Sequence, residues 1–272
     1  MALDGAGNTY VAYAYYNGSH YEIHYSVRGA GGSFSTPTRL SNAGRYAYGA
    51  RVVANNAGDV LIAWYETNGS NYLIRAAFKP AGGSLGAAQD VSGSGQNAFS
   101  PSAAIAANGT AMVAWYRSNG TNDIIQAAMK PAGSGFFGSA SDLSAAGQSA
   151  GGPEAAMNDA GDATVAWYRY DGATYRVQAT TKPASGGFGA AQTLTPSGAG
   201  HAFTPRVAMT SNRRATAVWY RYSGTGYSGN ASIQSAETDT NGNFQTVQDV
   251  TNPATSNSFV PSVDVDQDNN AV

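Results

Sequence analysis

Residues 101–131, PSAAIAANGTAMVAWYRSNGTNDIIQAAMKP, decide the fold. Residues 102–106 form a short apolar run, and Asn108-Gly109 follows. An Asn-Gly pair closes two-residue hairpins because both central positions need positive φ. Ala111 to Arg117 then reads as a second strand with a nearly continuous apolar core, the mark of a strand covered on both faces. Asn119-Gly120 turns the chain again, and Asp123 to Lys130 is a third strand. Pro131-Ala-Gly-Ser-Gly supplies the dihedrals of a third reversal. A fourth, more polar strand is expected from roughly Ser139 to Ser144. No 3.6-residue apolar period appears, so no helix is expected.

The same pattern runs outward in both directions. Trp64, Trp115, Trp167 and Trp219 are separated by 51, 52 and 52 residues, and Tyr13 stands 51 before Trp64. Pro101, Pro153 and Pro205 keep a spacing of 52, and Pro261 follows after 56. Lys79-Pro80, Lys130-Pro131 and Lys182-Pro183 recur in step. A fixed period of about 50 residues signals a solenoid, a propeller or an array. Four short antiparallel strands per period predict an all-β chain, a β-propeller of four-stranded blades with about 51–52 residues each. Full repeats are expected near 1–51, 52–102, 103–154, 155–206 and 207–262, with the start of a sixth at 263–272. Val263 and Val265 there match Ala103 and Ile105. The chain is expected either to be cut from a longer repetitive protein or to close five blades with a strand left over. The recurring tryptophan reads as packing between blades, since a large aromatic repeated at one core position is usually core.

Charged residues are 12% of the chain, about half the usual share, and 34 of 272 residues are glycine. With 42% apolar residues, 17 Tyr and four Trp, this is no disordered composition. A formal charge of −2 gives no reason to expect nucleic acid or an anionic membrane as partner. Cysteine is absent, which excludes disulfides and thiolate metal sites. No apolar run approaches the ~18 residues of a spanning helix. Met1 to Asp4 reads as the interior of a repeat rather than as a signal peptide.

Loops joining strands two and three are expected on one face with the loops joining successive blades. That rim carries Tyr15-Tyr16-Asn17-Gly18 in the first copy, and Tyr65, Tyr116, Arg117, Tyr168, Arg169, Asp171, Tyr220 and Arg221 in the others. The inter-blade loops are expected to add Tyr46, Tyr48, Phe99, His201, Phe203 and Phe259. Aromatic faces with planar polar groups suit sugar or peptide ligands, and weak repeated sites gain avidity. The alternative is a solvated rim whose Asn-Gly pairs only turn hairpins. His20, Glu22 and His24 alternate on one strand face and suggest a metal, but the two histidine backbones would lie ~13 Å apart. An ordinary polar sheet face is the simpler reading. Asp264, Asp266 and Asp268 are spaced like the start of a calcium loop, yet Asn269 stands where glycine is needed. In register they are the first hairpin of a blade. No nucleophilic triad, zinc motif or phosphate loop is found, and no cofactor is expected. Glu66 is the notable one-off on the rim, replacing the arginine of three other copies.

Residues 31–41, GGSFSTPTRLS, and 186–195, GGFGAAQTLT, resemble the tail of Asp-box (BNR-type) blades in bacterial sialidase-like propellers, with Ser26-Val-Arg28-Gly where the Asp would be. The wider pattern is similar to repeats in large secreted or surface proteins of bacteria. The resemblance implies a propeller fold and an extracellular or cell-surface setting. The near-equivalence of the copies points to a non-catalytic binding or adhesion module, lectin-like, with glycans or a surface protein as partner. The alternatives are the propeller of a sialidase-like glycoside hydrolase or lyase, or a ligand-free spacer.

Overall fold

The computed structural model describes residues 1–196, 200–255, 257–266 and 270–271. It holds five four-stranded antiparallel sheets, the blades of a propeller, each with its strands in chain order. The first comprises β1 (Ala2–Leu3), β2 (Thr9–Tyr16), β3 (Tyr21–Arg28) and β4 (Thr38–Arg39). The second comprises β5 (Ala47–Ala54), β6 (Val60–Thr67), β7 (Tyr72–Lys79) and β8 (Gln89–Asp90). The third comprises β9 (Ala98–Ile105), β10 (Ala111–Ser118), β11 (Asp123–Lys130) and β12 (Ser141–Asp142). The fourth is β13 (Ala150–Met157), β14 (Ala163–Tyr170), β15 (Tyr175–Lys182) and β16 (Gln192–Thr193). The fifth is β17 (Ala202–Met209), β18 (Ala215–Tyr222), β19 (Ala231–Glu237) and β20 (Gln248–Asp249). Two compact units result, Met1–Gly120 with Gln126–Ser141, and Thr121–Ile125 with Asp142–Val272.

Within each unit the second strand of a blade explains the core. Its side chains alternate between two neighbours, as strand geometry requires. Val60, Ile62 and Trp64 of β6 pack with Tyr10 and Ile23 of the first blade, whereas Leu61 and Ala63 pack with Val113 and Trp115 of the third. Trp219 packs with Ala166, Val177 and Ala179 of the fourth blade in the same way. All four tryptophans are fully buried. This two-sided burial is why these strands are apolar throughout rather than alternating.

The first strands begin earlier than the sequence predicts. β9 starts at Ala98, so Phe99 is a strand residue, and so are Tyr48 in β5 and Phe203 in β17; none of the three belongs to an inter-blade loop. A β-bulge separates the two halves of each such strand: Tyr116 pairs with Phe99 but Ala114 pairs with Ser102. The bulge residue has positive φ, as Gly49, Ser100, Gly152 and Thr204 all show. Proline follows it at 101, 153 and 205, where the extra residue leaves the ladder without need of its N–H. The repeating proline therefore marks a bulge inside a strand, not the strand's start. Val260 before Pro261 repeats the same φ, and Phe259 lies against Tyr220 at 5.2 Å as Phe203 lies against Tyr168 at 5.4 Å. The fourth strands are shorter than expected, two residues each, because the 3–4 turn consumes the rest.

Candidate functional site

Strand ends set the loop face. Thr67 N–H donates to Tyr46 O, Ser118 N–H to Asn97 O, and Tyr170 N–H to Ser149 O. The 2–3 hairpins thus share a face with the linkers that enter the next blade, as the sequence leads one to expect.

The rim tyrosines of the later blades are not free platforms. Tyr65, Tyr116, Tyr168 and Tyr220 are half-buried. Tyr65 meets Phe99 edge-on at 5.3 Å and Tyr72 at 5.6 Å. Tyr116 lies 5.7 Å from Phe99, and Tyr168 lies 5.6 Å from Tyr175. Burial raises the phenol pKa of Tyr65, Tyr168 and Tyr220. Gly152 allows the close approach of Tyr168: a Cβ there would stand 2.6 Å from Cε1 of the ring, at a φ of +57°. Asp171 closes its hairpin, accepting from Ala173 N–H at 2.9 Å, Thr174 N–H at 2.7 Å and Arg176 Nε at 2.7 Å. Burial works to raise its pKa, but these donors outweigh it and hold Asp171 down at about 2. Arg117, Arg169 and Arg221 are half-buried and each has its Nε shielded without a hydrogen-bond partner.

Glu66 has a structural occupation. In the fourth and fifth blades the buried indole N–H of Trp167 and Trp219 donates to Gln178 and Gln234 across the strand pair. In the second blade Arg75 stands opposite Trp64 instead. Trp64 Nε1 donates to Glu66 at 3.0 Å, Asn42 N–H donates at 3.1 Å, and Arg75 Nη1 lies at 3.3 Å. Glu66 and Arg75 are thus a compensating exchange of charges. They line a cavity of about 150 Å³ with Arg45 and Asp90.

The first blade departs furthest from the repeat. Tyr13 takes the tryptophan position and pairs with His24, while Tyr15 pairs with Glu22. His20 lies in the 2–3 turn rather than on the strand with Glu22 and His24, since β3 begins at Tyr21, and the two histidine rings converge. His20 Nε2 lies 3.3 Å and His24 Nε2 3.2 Å from the Glu22 carboxylate. Asn17 Nδ2 donates to it at 2.9 Å, and Arg39 Nη1 lies at 3.4 Å. The hydrogen bond with His24 is the main cause of a Glu22 pKa below the ordinary range; burial opposes it, and Asn17, Arg39 and His20 reinforce it. Tyr15 and Tyr46, 50% and 46% exposed, border this buried carboxylate, while Tyr16 and Tyr21 pair with each other at 5.2 Å on the other face of the sheet. Tyr15 lies 4.9 Å from the His24 ring and Tyr46 5.7 Å from the His20 ring. Exposed aromatic rings and planar polar groups therefore meet here. The signal was in the sequence, as the one copy whose tryptophan is a tyrosine and whose hairpin carries two histidines.

Other candidates resolve into structure. Among the described residues no group of three or more His, Asp or Glu is arranged to hold a metal ion. Asp268 and Asn269 of the calcium-like run lie outside the described residues. Asp266 accepts from Asn270 N–H at 2.8 Å, as Asp4 accepts from Asn8 N–H at 2.9 Å in the first hairpin of the chain. A cavity of about 640 Å³ lies at the opposite strand ends of blades two and three. There Lys130 Nζ sits 3.6 Å from the Phe78 ring centroid and donates to Gly109 O at 3.2 Å. No described helix is long and apolar enough to cross a membrane.

No protein-family model and no curated protein matches the chain. Solved structures resemble it in fold. An ulvan lyase from a new family of polysaccharide lyases aligns with a TM-score of 0.60 at 10% identity, over 92% of this chain and 68% of that one. A protein of unknown function from Dyadobacter fermentans DSM 18053 aligns at 0.52 and 8% identity, over 88% and 78%. An α-L-arabinanase of Penicillium chrysogenum, complexed with arabinobiose, aligns at 0.51 and 13% identity, over 97% and 83%. At such identities the likeness carries the propeller fold and nothing finer.

Proposed function

We propose that this chain recognises carbohydrate, and that its principal ligand site is the loop end of the first blade. The observation that carries this is the pair of exposed rings Tyr15 and Tyr46 beside the polar group His20, Glu22, His24 and Asn17. Tyrosine faces stack on the apolar faces of sugar rings, and fixed polar groups orient the hydroxyls. Two of the fold neighbours are named for sugar polymers, a polysaccharide lyase and an arabinanase bound to arabinobiose, which supports the same ligand class. A polysaccharide target fits a secreted or surface-bound protein. The half-buried tyrosines of the later blades serve as secondary contacts or as packing. The test is a glycan-array screen of the folded chain beside a Tyr15→Ala, Tyr46→Ala variant. Selective binding that this variant loses supports the proposal; binding that it leaves unchanged moves the site elsewhere, and no binding to any glycan sinks it.

A second reading is that the same cluster cleaves its polysaccharide. Its support is the pairing of His24 with buried Glu22 beside exposed Tyr15, a base held by a carboxylate next to a phenol. The named activities of the fold neighbours lean the same way. Release of reducing ends from a bound polysaccharide, lost on His24→Ala while binding persists, would establish it; binding with no chain cleavage would leave recognition alone.

A further inference from the structure

Arginine recurs two residues after the tryptophan of β10, β14 and β18, as Arg117, Arg169 and Arg221. Each has its Nε shielded from water and without a hydrogen-bond partner. Several other arginines of the chain form ion pairs. Arg75 meets Glu66 and Asp90, Arg176 meets Asp171, and Arg213 meets Asp162. Among the described residues none of the three repeated arginines forms an ion pair. In the second blade, where the position holds Glu66, the chain builds a full set of partners around it.

The surroundings leave room for a ligand. Gly93 borders Arg117, and even a Cβ there would stand 3.9 Å from Nη2. Arg169 has one weak carbonyl acceptor, Ala145 O at 3.4 Å from Nη2. All three side chains are partly exposed, so solute can reach them. Burial pushes the Arg221 guanidinium below its ordinary range, with Asp249 opposing and Arg176 adding to the shift. The shielded Nε is closed to solute, so an incoming anion would be taken by the terminal Nη groups of these partly exposed side chains. A guanidinium takes carboxylate or sulfate oxygens in a two-pronged, oriented way that suits selection of an anionic sugar.

We infer that Arg117, Arg169 and Arg221 each receive an anionic group, and that the carbohydrate recognised by this chain is an acidic polysaccharide bearing uronate carboxylates or sulfate esters. This rests on the carbohydrate-binding proposal and adds to it the ligand's charge. One such arginine in each of three blades matches a ligand that presents one kind of anion repeatedly.

The experiment is equilibrium binding of the whole chain to polygalacturonate, to the same polymer with its carboxyl groups reduced, and to dextran and dextran sulfate. The expected result is binding to at least one acidic polymer, weakened at least tenfold when the anion is removed and further weakened by salt. Preference for polygalacturonate identifies uronate as the source of the anion, and preference for dextran sulfate identifies sulfate. Arg117→Gln, Arg169→Gln and Arg221→Gln should each weaken acidic-polymer binding about five- to tenfold with an unchanged circular dichroism spectrum. The wild-type comparison of each polymer with its neutral form stands even if a variant fails to fold. Equal affinity for charged and neutral forms overturns the anion inference and leaves carbohydrate recognition intact. Absence of binding to every polymer here and to every arrayed glycan overturns both.

Discussion

Glu22 and Glu66 are buried carboxylates at the loop ends of adjacent blades, and their partners differ in kind. Glu66 is held by the Trp64 indole, the Asn42 amide and Arg75, none of which changes charge in the physiological range. Glu22 is held by His20, His24, Arg39 and Asn17, beside exposed Tyr15 and Tyr46. The cross-strand positions involved are the same two in each blade. In the second blade the indole donor makes the carboxylate part of the core. In the first, Tyr13 removes that donor, and the His20 and His24 imidazole rings face the carboxylate instead. A buried charge in a repeat protein is therefore not a site by virtue of being unusual; what decides is whether its partners are core or surface groups.

Four measurements sharpen this contrast. The largest effect is expected from the core that both blades share. Trp64→Ala should lower stability by about 3–5 kcal/mol, read from the denaturant midpoint, because the fully buried indole, packed with Tyr10 and Ile23, leaves a cavity between blades. Next, Glu66→Gln should cost about 2 kcal/mol by removing the buried counter-charge of Arg75, with glycan affinity unchanged. A loss of affinity with no loss of stability would place Glu66 in the site after all. Third, Tyr15→Ala should weaken glycan binding about tenfold while leaving the unfolding midpoint nearly unmoved, since the ring is half exposed. Equal loss of stability would show it to be packing. The smallest effect is a pH dependence. Because Glu22 is held below its ordinary value of 4.5 in the folded chain, its stabilisation is complete above that pH and disappears as the pH falls through the folded value. Glu22→Gln should flatten stability measured across that acid range, whereas identical acid curves for variant and parent would deny the bonds to His24 and Asn17 any energetic role.

Much of this architecture is legible in the sequence, for reasons that can be named. The 51–52 residue spacing of Trp64, Trp115, Trp167 and Trp219 is imposed by one packing position per blade, and the Asn-Gly pairs by hairpins needing positive φ. The bulge is not legible in that way. Ser100 and Thr204 carry positive φ without being glycine, so Pro101 and Pro205 read as strand starts where the strand only bends. "Rim" tyrosines are hard to rank for a similar reason. Tyr65 and Tyr168 look like loop residues, yet they end strands whose alternation turns them onto Phe99 and Phe203 of the following blade. Their exposure depends on a neighbour 35 residues away in sequence or about that, beyond any local pattern. The convergence of His20 and His24 on Glu22 was hidden because a strand through both would keep them apart, while His20 lies in the turn and side-chain reach brings the rings together.

The most direct test of the account is hydrogen–deuterium exchange of the whole chain with and without a bound oligosaccharide. New protection concentrated at the 2–3 hairpin of the first blade, residues 15–24, and at the linker carrying Tyr46 is the expected result. Protection confined to the hairpins of the later blades, with the first blade unchanged, would contradict the central claim that the first blade holds the principal site.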